Sequence, residues 1–316
     1  MPEAATDPAP PAPIAGDIVL RAGPAQAVLR PKAGGRVCRL SLARPDGQAV
    51  PVLYPYEAEG VDPVNWGKGG IYPLVPYSGR ISNARLQGPG GVVELQPHPN
   101  ALPHSLHGHG HVRPWTALPS TRPDRAELSL ATAADAAWPW AIEALASYEL
   151  QPGALHMEMT LTVGEGGPGP MPAGVGWHPF FLHRPEARLR FAAGTRWRAG
   201  PDFVPQAPQA QSAAEQHGTP RPLPEGPITA DFSDWHGPFD LELPSGDVLR
   251  LEAEAAPHLV LHRTAALNYL CVEPVSHVAD GFNLAARGVP GTGTVWLEAG
   301  QTLRARLTLA LQPEGF

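Results

Sequence analysis

From Leu155 to Val163 the chain alternates without a break, with Leu155, Met157, Met159, Leu161 and Val163 on one side and His156, Glu158, Thr160 and Thr162 on the other. A period of two places all the apolar side chains on one face of an extended strand, so the segment reads as half-buried β structure. The same alternation recurs from Ala126 to Ala131, at Leu249, Leu251 and Ala253, and at Leu303, Ala305, Leu307, Leu309 and Leu311. Turn clusters separate the runs: Pro45-Asp-Gly47, Gly88-Pro-Gly-Gly91, Pro152-Gly153, Pro244-Ser-Gly-Asp247 and Glu298-Ala-Gly300. Many short antiparallel strands joined this way favour an all-β sandwich over a doubly wound sheet. Helices are expected to be short and few, because 40 prolines and 34 glycines interrupt the 316 residues.

Two stretches dilute the pattern. Gly164 to Pro172 reads as a Gly/Pro loop, and Pro201 to Pro227 is poor in large apolar residues, with a candidate short helix from Gln209 to Gln216 that lacks an amphipathic face. Neither is long or charged enough to mark a boundary. The expected organisation is a disordered Pro/Ala-rich tail over residues 1–13 and one domain over 14–316.

With 23 Lys+Arg against 30 Asp+Glu the net charge is −7, and no basic block is present, which argues against a nucleic-acid partner. Two cysteines, Cys38 and Cys271, define no disulfide framework and suit a reducing cytoplasm. The N-terminus lacks the basic head and apolar run of a signal peptide, and no apolar run is long enough for a membrane span. Nothing in the sequence fixes an oligomeric state.

Four segments carry candidate chemistry. Glu273 in Cys271-Val-Glu273-Pro274 and His178 in Trp177-His178-Pro179 each precede a proline, which disfavours helix for the residue before it and holds both on extended backbone. A carboxylate and an imidazole on rigid elements make an acid/base pair. The competing readings are a carboxylate satisfying backbone donors near Asp280-Gly281 and a core histidine packed among Trp177, Phe180 and Phe181. His107, followed by glycine in Leu106-His107-Gly108-His109-Gly110-His111, is either a substrate contact or a surface histidine. A metal on His107, His109 and His111 is not expected, since no cysteine or carboxylate nearby completes a closed site. Arg80, after Gly79, can present a fork of donors to hydroxyls or form a salt bridge at a strand end. Trp138 and Trp140 read as packing rather than a stacking platform.

These pieces occur in an order that resembles the aldose 1-epimerases, or galactose mutarotase-like proteins, over nearly the whole chain after the tail. The matching segments are Gly79-Arg80-Ile81-Ser-Asn83, Leu106-His107-Gly108 with Arg113-Pro-Trp115, Gly176-Trp-His178-Pro-Phe180, and Cys271-Val-Glu273-Pro with Asp280-Gly-Phe-Asn283. The resemblance implies a large antiparallel supersandwich and a free small aldose as substrate. It further implies Glu273 as general base on the C1 hydroxyl, His178 as general acid on the ring oxygen, and His107 and Arg80 holding hydroxyls. No cofactor and no metal are implied, and the chain contains no phosphate loop or dinucleotide fingerprint. With Arg80 the only well-placed cation among these motifs, against Arg113 and Arg184 close to the site segments, the sugar is expected to be unphosphorylated.

The chain departs from the family pattern at His111, where many relatives carry an aromatic residue, and before Phe232-Ser-Asp-Trp235, where the spacing expected for a substrate-binding aspartate falls near Thr229. Asp231 and Asp234 are the alternatives for that role. Two rival functions stand beside mutarotation: a non-catalytic carbohydrate-binding protein, and a glycoside hydrolase whose second carboxylate would be Asp231, Asp234 or Asp280.

Overall fold

Every alternating run of the sequence becomes a strand of the same sheet. In the computed structural model, which describes residues 13–264 and 268–312, Arg125–Thr132, Ala154–Val163, Val248–Glu254 and Thr302–Gln312 lie in a nine-stranded sheet with Thr116–Ala117, Ile142–Gln151, His236–Glu242, Arg188–Ala192 and His217–Pro222. Residues 1–12, and with them most of the expected tail, lie outside the described residues. The neighbours pair antiparallel, and Met159 sits opposite Ala146 on one side and Ala305 on the other. Tight turns at Pro152-Gly153 and Pro244–Asp247 connect adjacent strands of this sheet, as their residue types demand.

The other sheet has eleven strands, with Arg36–Ala43, Ile71–Leu74, Gly176–Leu182, Tyr269–Val275, His258–Arg263, Ile228–Ser233 and Thr195–Ala199 following one another across it. Its inward side chains, among them Trp177, Phe181, Leu261, Leu270 and Val272, join Leu155, Met157, Met159 and Leu307 of the nine-stranded sheet in one buried cluster. Each such side chain contributes about 1.5–3 kcal/mol on burial, which makes this contact between sheets the main adhesive of the sandwich.

The eleven-stranded sheet is covered on its outer face as well. Tyr72, Leu74, Phe180, Tyr269, Cys271 and Val275 point away from the main core and pack with Trp66, Tyr54, Leu106 and Val112 from the segments 54–70 and 75–112. Tyr54 is tied down by a hydrogen bond from its N–H to the Phe180 carbonyl, 2.8 Å, and Gly110 by one to the Val75 carbonyl, 3.0 Å. Gly176–Leu182 and Tyr269–Val275 are therefore buried on both sides.

Among the described residues the one α-helix is Gly281–Ala286, six residues long, and no helix is long and apolar enough to cross a membrane. The helix expected from Gln209 to Gln216 does not form. Pro205–Ala210 is instead a strand paired with Thr195–Ala199, followed by a single 3-10 turn over Ala213–Glu215. Pro208 has no N–H to give a helix, and Glu215 closes just one turn by accepting from the Ser212 N–H at 2.9 Å. Trp138 and Trp140 are buried in the main core, as their packing role requires.

Candidate active site

A straight row of side chains crosses the outer face of the eleven-stranded sheet. Tyr72 is opposite His178, and the pairing of Gly176 with Val275 and Phe180 with Cys271 places His178 across from Glu273. Val260 lies opposite Glu273 on the next strand and opposite Asp231 on the one after. Tyr72, His178 and Glu273 each precede a proline, Pro73, Pro179 and Pro274, in the interior of the sheet. Proline removes a ladder donor and is rare in central strands, so its appearance in three neighbours marks a place where the ladder is not built for stability alone.

The row forms the floor of a pocket of about 470 Å³, within the range typical of small-molecule sites. At its centre His178 Nε2 stands 3.2 Å from Glu273 Oε1, both side chains less than a tenth exposed. The imidazole is held by two stacked rings, Tyr72 at 4.5 Å and Phe180 at 4.7 Å between centroids. Burial pushes the Glu273 carboxyl well above the usual carboxylate range and the nearby Asp231 pushes it further, while Lys68 pulls it back. Burial also drives His178 well below an ordinary imidazole, with His107 and the cations Lys68 and Arg36 adding to the effect. Adding a proton to the pair or removing one leaves an uncompensated buried charge. The favoured state therefore holds one proton between the two groups, and their titration belongs to the pair.

His107 reaches the same pocket from a bent loop. Its own φ is 56° and that of Gly108 is 63°, two successive left-handed residues. Its N–H donates to the Gly79 carbonyl at 2.8 Å, and its Nδ1 accepts from the Gly79 N–H at 3.0 Å. Nδ1 thus acts as acceptor, which leaves the ring proton on Nε2 as a donor. Burial, then Lys68 and Arg80, depress this histidine to about 3, so it stays neutral. Gly79 must be glycine: its φ is 68°, and a Cβ there would lie 2.6 Å from that of Ala279.

Arg80 lines the pocket and forms no salt bridge among the described residues. Its Nη1 donates to the Asp202 carbonyl, its guanidinium lies over the Phe203 ring at 4.7 Å, and its Nε is buried without a partner. Arg113 and Arg184 are paired elsewhere, with Asp135 and Glu186. The two candidate aspartates separate cleanly. Asp231 is buried in the pocket wall, with burial lifting its carboxyl to about 6 against the pull of Arg196. Asp234 is exposed in a turn, where it accepts from Thr195 Oγ1 at 2.8 Å, and takes no part in the pocket. Thr229, at the spacing expected for an aspartate, does line the pocket and bonds His262 Nδ1 at 2.9 Å. Asp280 is structural, accepting from the Ser82 N–H at 2.9 Å and from Asn283 Nδ2 at 2.7 Å.

His107, His109 and His111 do not gather as one set of ligands, although the rings of His107 and His111 lie 5.9 Å apart. His109 Nε2 lies 3.3 Å from Thr132 Oγ1, and His111 is wedged between the rings of Trp66 and Tyr72 with neither ring nitrogen partnered. His111 thus fills an aromatic niche, the role its aromatic counterparts suggest. Among the described residues, the group whose atoms could gather round an ion is His178, Cys271 and Glu273, all within 4.8 Å of one another. Two of its three members are the His178–Glu273 pair already described, and burial raises the Cys271 thiol well above its ordinary range.

Sequence reasoning missed Tyr72, Lys68 and His262, all of which line the pocket. Tyr72 carried the same pre-proline signal as its neighbours, and Lys68 sits in the glycine-rich stretch Gly67-Lys-Gly-Gly70.

Comparison with known proteins finds relatives both in sequence and in structure. The uncharacterized protein YphB of Escherichia coli K12 is 27% identical over 259 residues, covering 73% of this chain and 80% of its own. Among solved structures, an Escherichia coli K12 protein provisionally named an aldose 1-epimerase superposes with a TM-score of 0.80 at 22% identity, covering 94% of this chain and 98% of its own. The GalM/aldose epimerase homologue from C. elegans gives 0.76 at 17% identity, with coverage of 94% and 98%. The galactose 1-epimerase of Lactobacillus acidophilus gives 0.75 at 15%, with coverage of 95% on both sides. At these identities the structures establish the galactose mutarotase-like fold. The family model of the aldose 1-epimerases matches residues 17–310, and the chain belongs to that family.

Proposed function

We propose that the protein is a cofactor-independent aldose 1-epimerase that interconverts the α and β anomers of a small sugar. The observation that carries this reading is the 3.2 Å contact between His178 Nε2 and Glu273 Oε1 on the pocket floor. The C1 hydroxyl oxygen and the ring oxygen are bonded to the same carbon, so one acid and one base set side by side reach both.

Glu273, ionised after passing the shared proton to His178, takes the proton of the C1 hydroxyl. The electron pair left behind forms the C1 carbonyl as the bond from C1 to the ring oxygen breaks, and His178 protonates that oxygen. Rotation about C1–C2 presents the other face of the carbonyl. Ring closure then runs the proton transfers in reverse, so atoms and charge balance without any redox partner. His107 Nε2 and Arg80 donate to hydroxyls, and Asp231 accepts from one. The two cysteines, free and buried, are in keeping with a cytoplasmic location.

Asp231 favours a second reading, a glycoside hydrolase, because burial lifts its carboxyl to about 6. It stands two strands from Glu273, or roughly 9–10 Å at the usual strand spacing, at the upper limit for an inverting pair. The closer partner of Glu273 is an imidazole, which favours proton exchange over hydrolysis. Polarimetry on a freshly dissolved pure anomer decides: acceleration above the spontaneous rate supports the epimerase. Sugar binding without acceleration would make the protein a carbohydrate-binding module, and release of an aglycone from a glycoside would make it a hydrolase.

A further inference from the structure

The pocket holds two cations that the acid/base chemistry leaves without an anionic partner. Lys68 is exposed on the pocket wall, yet its backbone is fixed. The fully buried Arg36 donates from Nη1 to the carbonyls of Gly67 and Gly69, 2.9 Å each, which flank Lys68 on either side. The guanidinium of Arg36 is itself wedged between the rings of Tyr56 at 4.0 Å and Tyr72 at 4.6 Å. Gly69 has a φ of 120°, and a Cβ there would fall 2.3 Å from the Pro55 carbonyl oxygen, so the loop has little freedom to choose another path. Burying an arginine to grip two carbonyls is costly, and here the grip fixes where a lysine stands.

Arg80 is the second cation. Neither it nor Lys68 has a carboxylate within ion-pair distance among the described residues. Asp202 offers Arg80 its backbone carbonyl, while its carboxylate lies toward His104 at 3.7 Å. Asn65 and Asn100 add neutral polar groups at the same rim, held to each other at 2.9 Å. In a chain of net charge −7 this is a local excess of positive charge in the lining of the pocket. The carboxyls on the floor do not cancel it in the resting state, since burial disfavours their ionised forms.

We infer that the sugar taken by this site carries an anionic group, a carboxylate or a phosphate ester, which Lys68 and Arg80 bind. The inference rests on the epimerase reading and narrows its substrate class, replacing the neutral sugar expected from Arg80 alone. Charge-assisted bonds from an ammonium and a guanidinium suit either anion.

The test is mutarotation of three matched sugars, a neutral hexose, its hexuronate and its 6-phosphate, at low and high ionic strength, with wild type and Lys68→Met. Lys68 is exposed, so the variant should fold. One of the two anionic sugars should exceed the neutral one in kcat/KM by about tenfold or more, as a hydrogen bond to a charged group commonly gives. That preference should shrink with salt and shrink in Lys68→Met, with the change in KM rather than kcat. The hexuronate and phosphate arms identify which anion is meant. Equal or better turnover of the neutral hexose would overturn the inference and leave the epimerase reading intact. So would a Lys68→Met variant that loses rate equally on all three sugars, since Lys68 would then serve the ionisation of Glu273. Acceleration of none of the three would sink the epimerase reading and the inference with it.

Discussion

Glu158 and Glu273 are both outward-facing glutamates on strands, Ala154–Val163 and Tyr269–Val275, yet their environments push them in opposite directions. Around Glu158 the partial burial that would raise the carboxyl is outweighed by Arg304 and by Arg306, whose Nε donates at 2.7 Å, and the group is held below the usual range. Around Glu273 no arginine forms an ion pair among the described residues, the segments 54–70 and 75–112 close the outer face, and burial holds it well above the usual range. One sheet uses its outward face to meet water. The other covers that face and so creates groups whose charged forms are expensive, which suits proton transfer.

The largest effect expected from this contrast is chemical. Glu273→Gln keeps the shape and removes the base, so kcat should fall by about 10²–10⁴-fold while the melting temperature holds or rises. A variant that kept most of its rate would place the chemistry elsewhere. Met159→Ala should do the reverse, losing about 2–5 kcal/mol in urea denaturation with an unchanged KM, because Met159 is fully buried in the core between the sheets.

Acid should expose the buried histidines next. His109, His258 and His277 are all depressed by burial to about 4, so below pH 6.5 the unfolded chain takes up protons that the folded chain refuses. Their stabilising contribution is present above 6.5 and disappears as the pH falls toward 4, at up to about 1.4 kcal/mol per pH unit for each. Asp231, raised to about 6, has the opposite sign, since its contribution is lost as the pH rises through that value. Melting curves recorded from pH 7 to 4 should therefore show falling stability, and a flat profile would mean that the histidines are already charged.

Arg36→Lys is a smaller perturbation. It keeps the charge but loses the fork that grips Gly67 and Gly69, so it should cost roughly 1–3 kcal/mol and raise KM more than it lowers kcat. The smallest effect belongs to Glu158→Gln: an exposed pair of this kind is worth about 0–1 kcal/mol, and mutarotation should not change. A large loss of rate there would erase the distinction between the two faces.

The sequence reported the two sheets unequally, for a physical reason. All the alternating runs it offered fell in the nine-stranded sheet, because a strand with one wet face must alternate. In Tyr269–Val275 and Gly176–Leu182 both faces are buried, so the period vanishes and only the prolines remain as markers. Those markers located His178 and Glu273 and would have located Tyr72 in Tyr72-Pro73 by the same logic. The choice between Asp231 and Asp234 depended on which residue of the Ile228–Ser233 strand faces outward, and Asp234 lies just past its end. Lys68 was invisible because its place depends on Arg36, over thirty residues away in the chain, gripping the carbonyls beside it.

Pro179 also bears on how the molecule is made. Tyr269–Val275 is among the last strands to be synthesised, yet it belongs in the middle of its sheet, between Gly176–Leu182 and His258–Arg263. Until it arrives, Gly176–Leu182 has an unpaired side, and pairings this distant in sequence are slow to close. An open strand edge is a template for the wrong partner, and a proline within it withholds one of the N–H groups such a partner would need. Pro179 therefore gives the nascent chain some protection against intermolecular pairing while its most deeply enclosed strand is still missing.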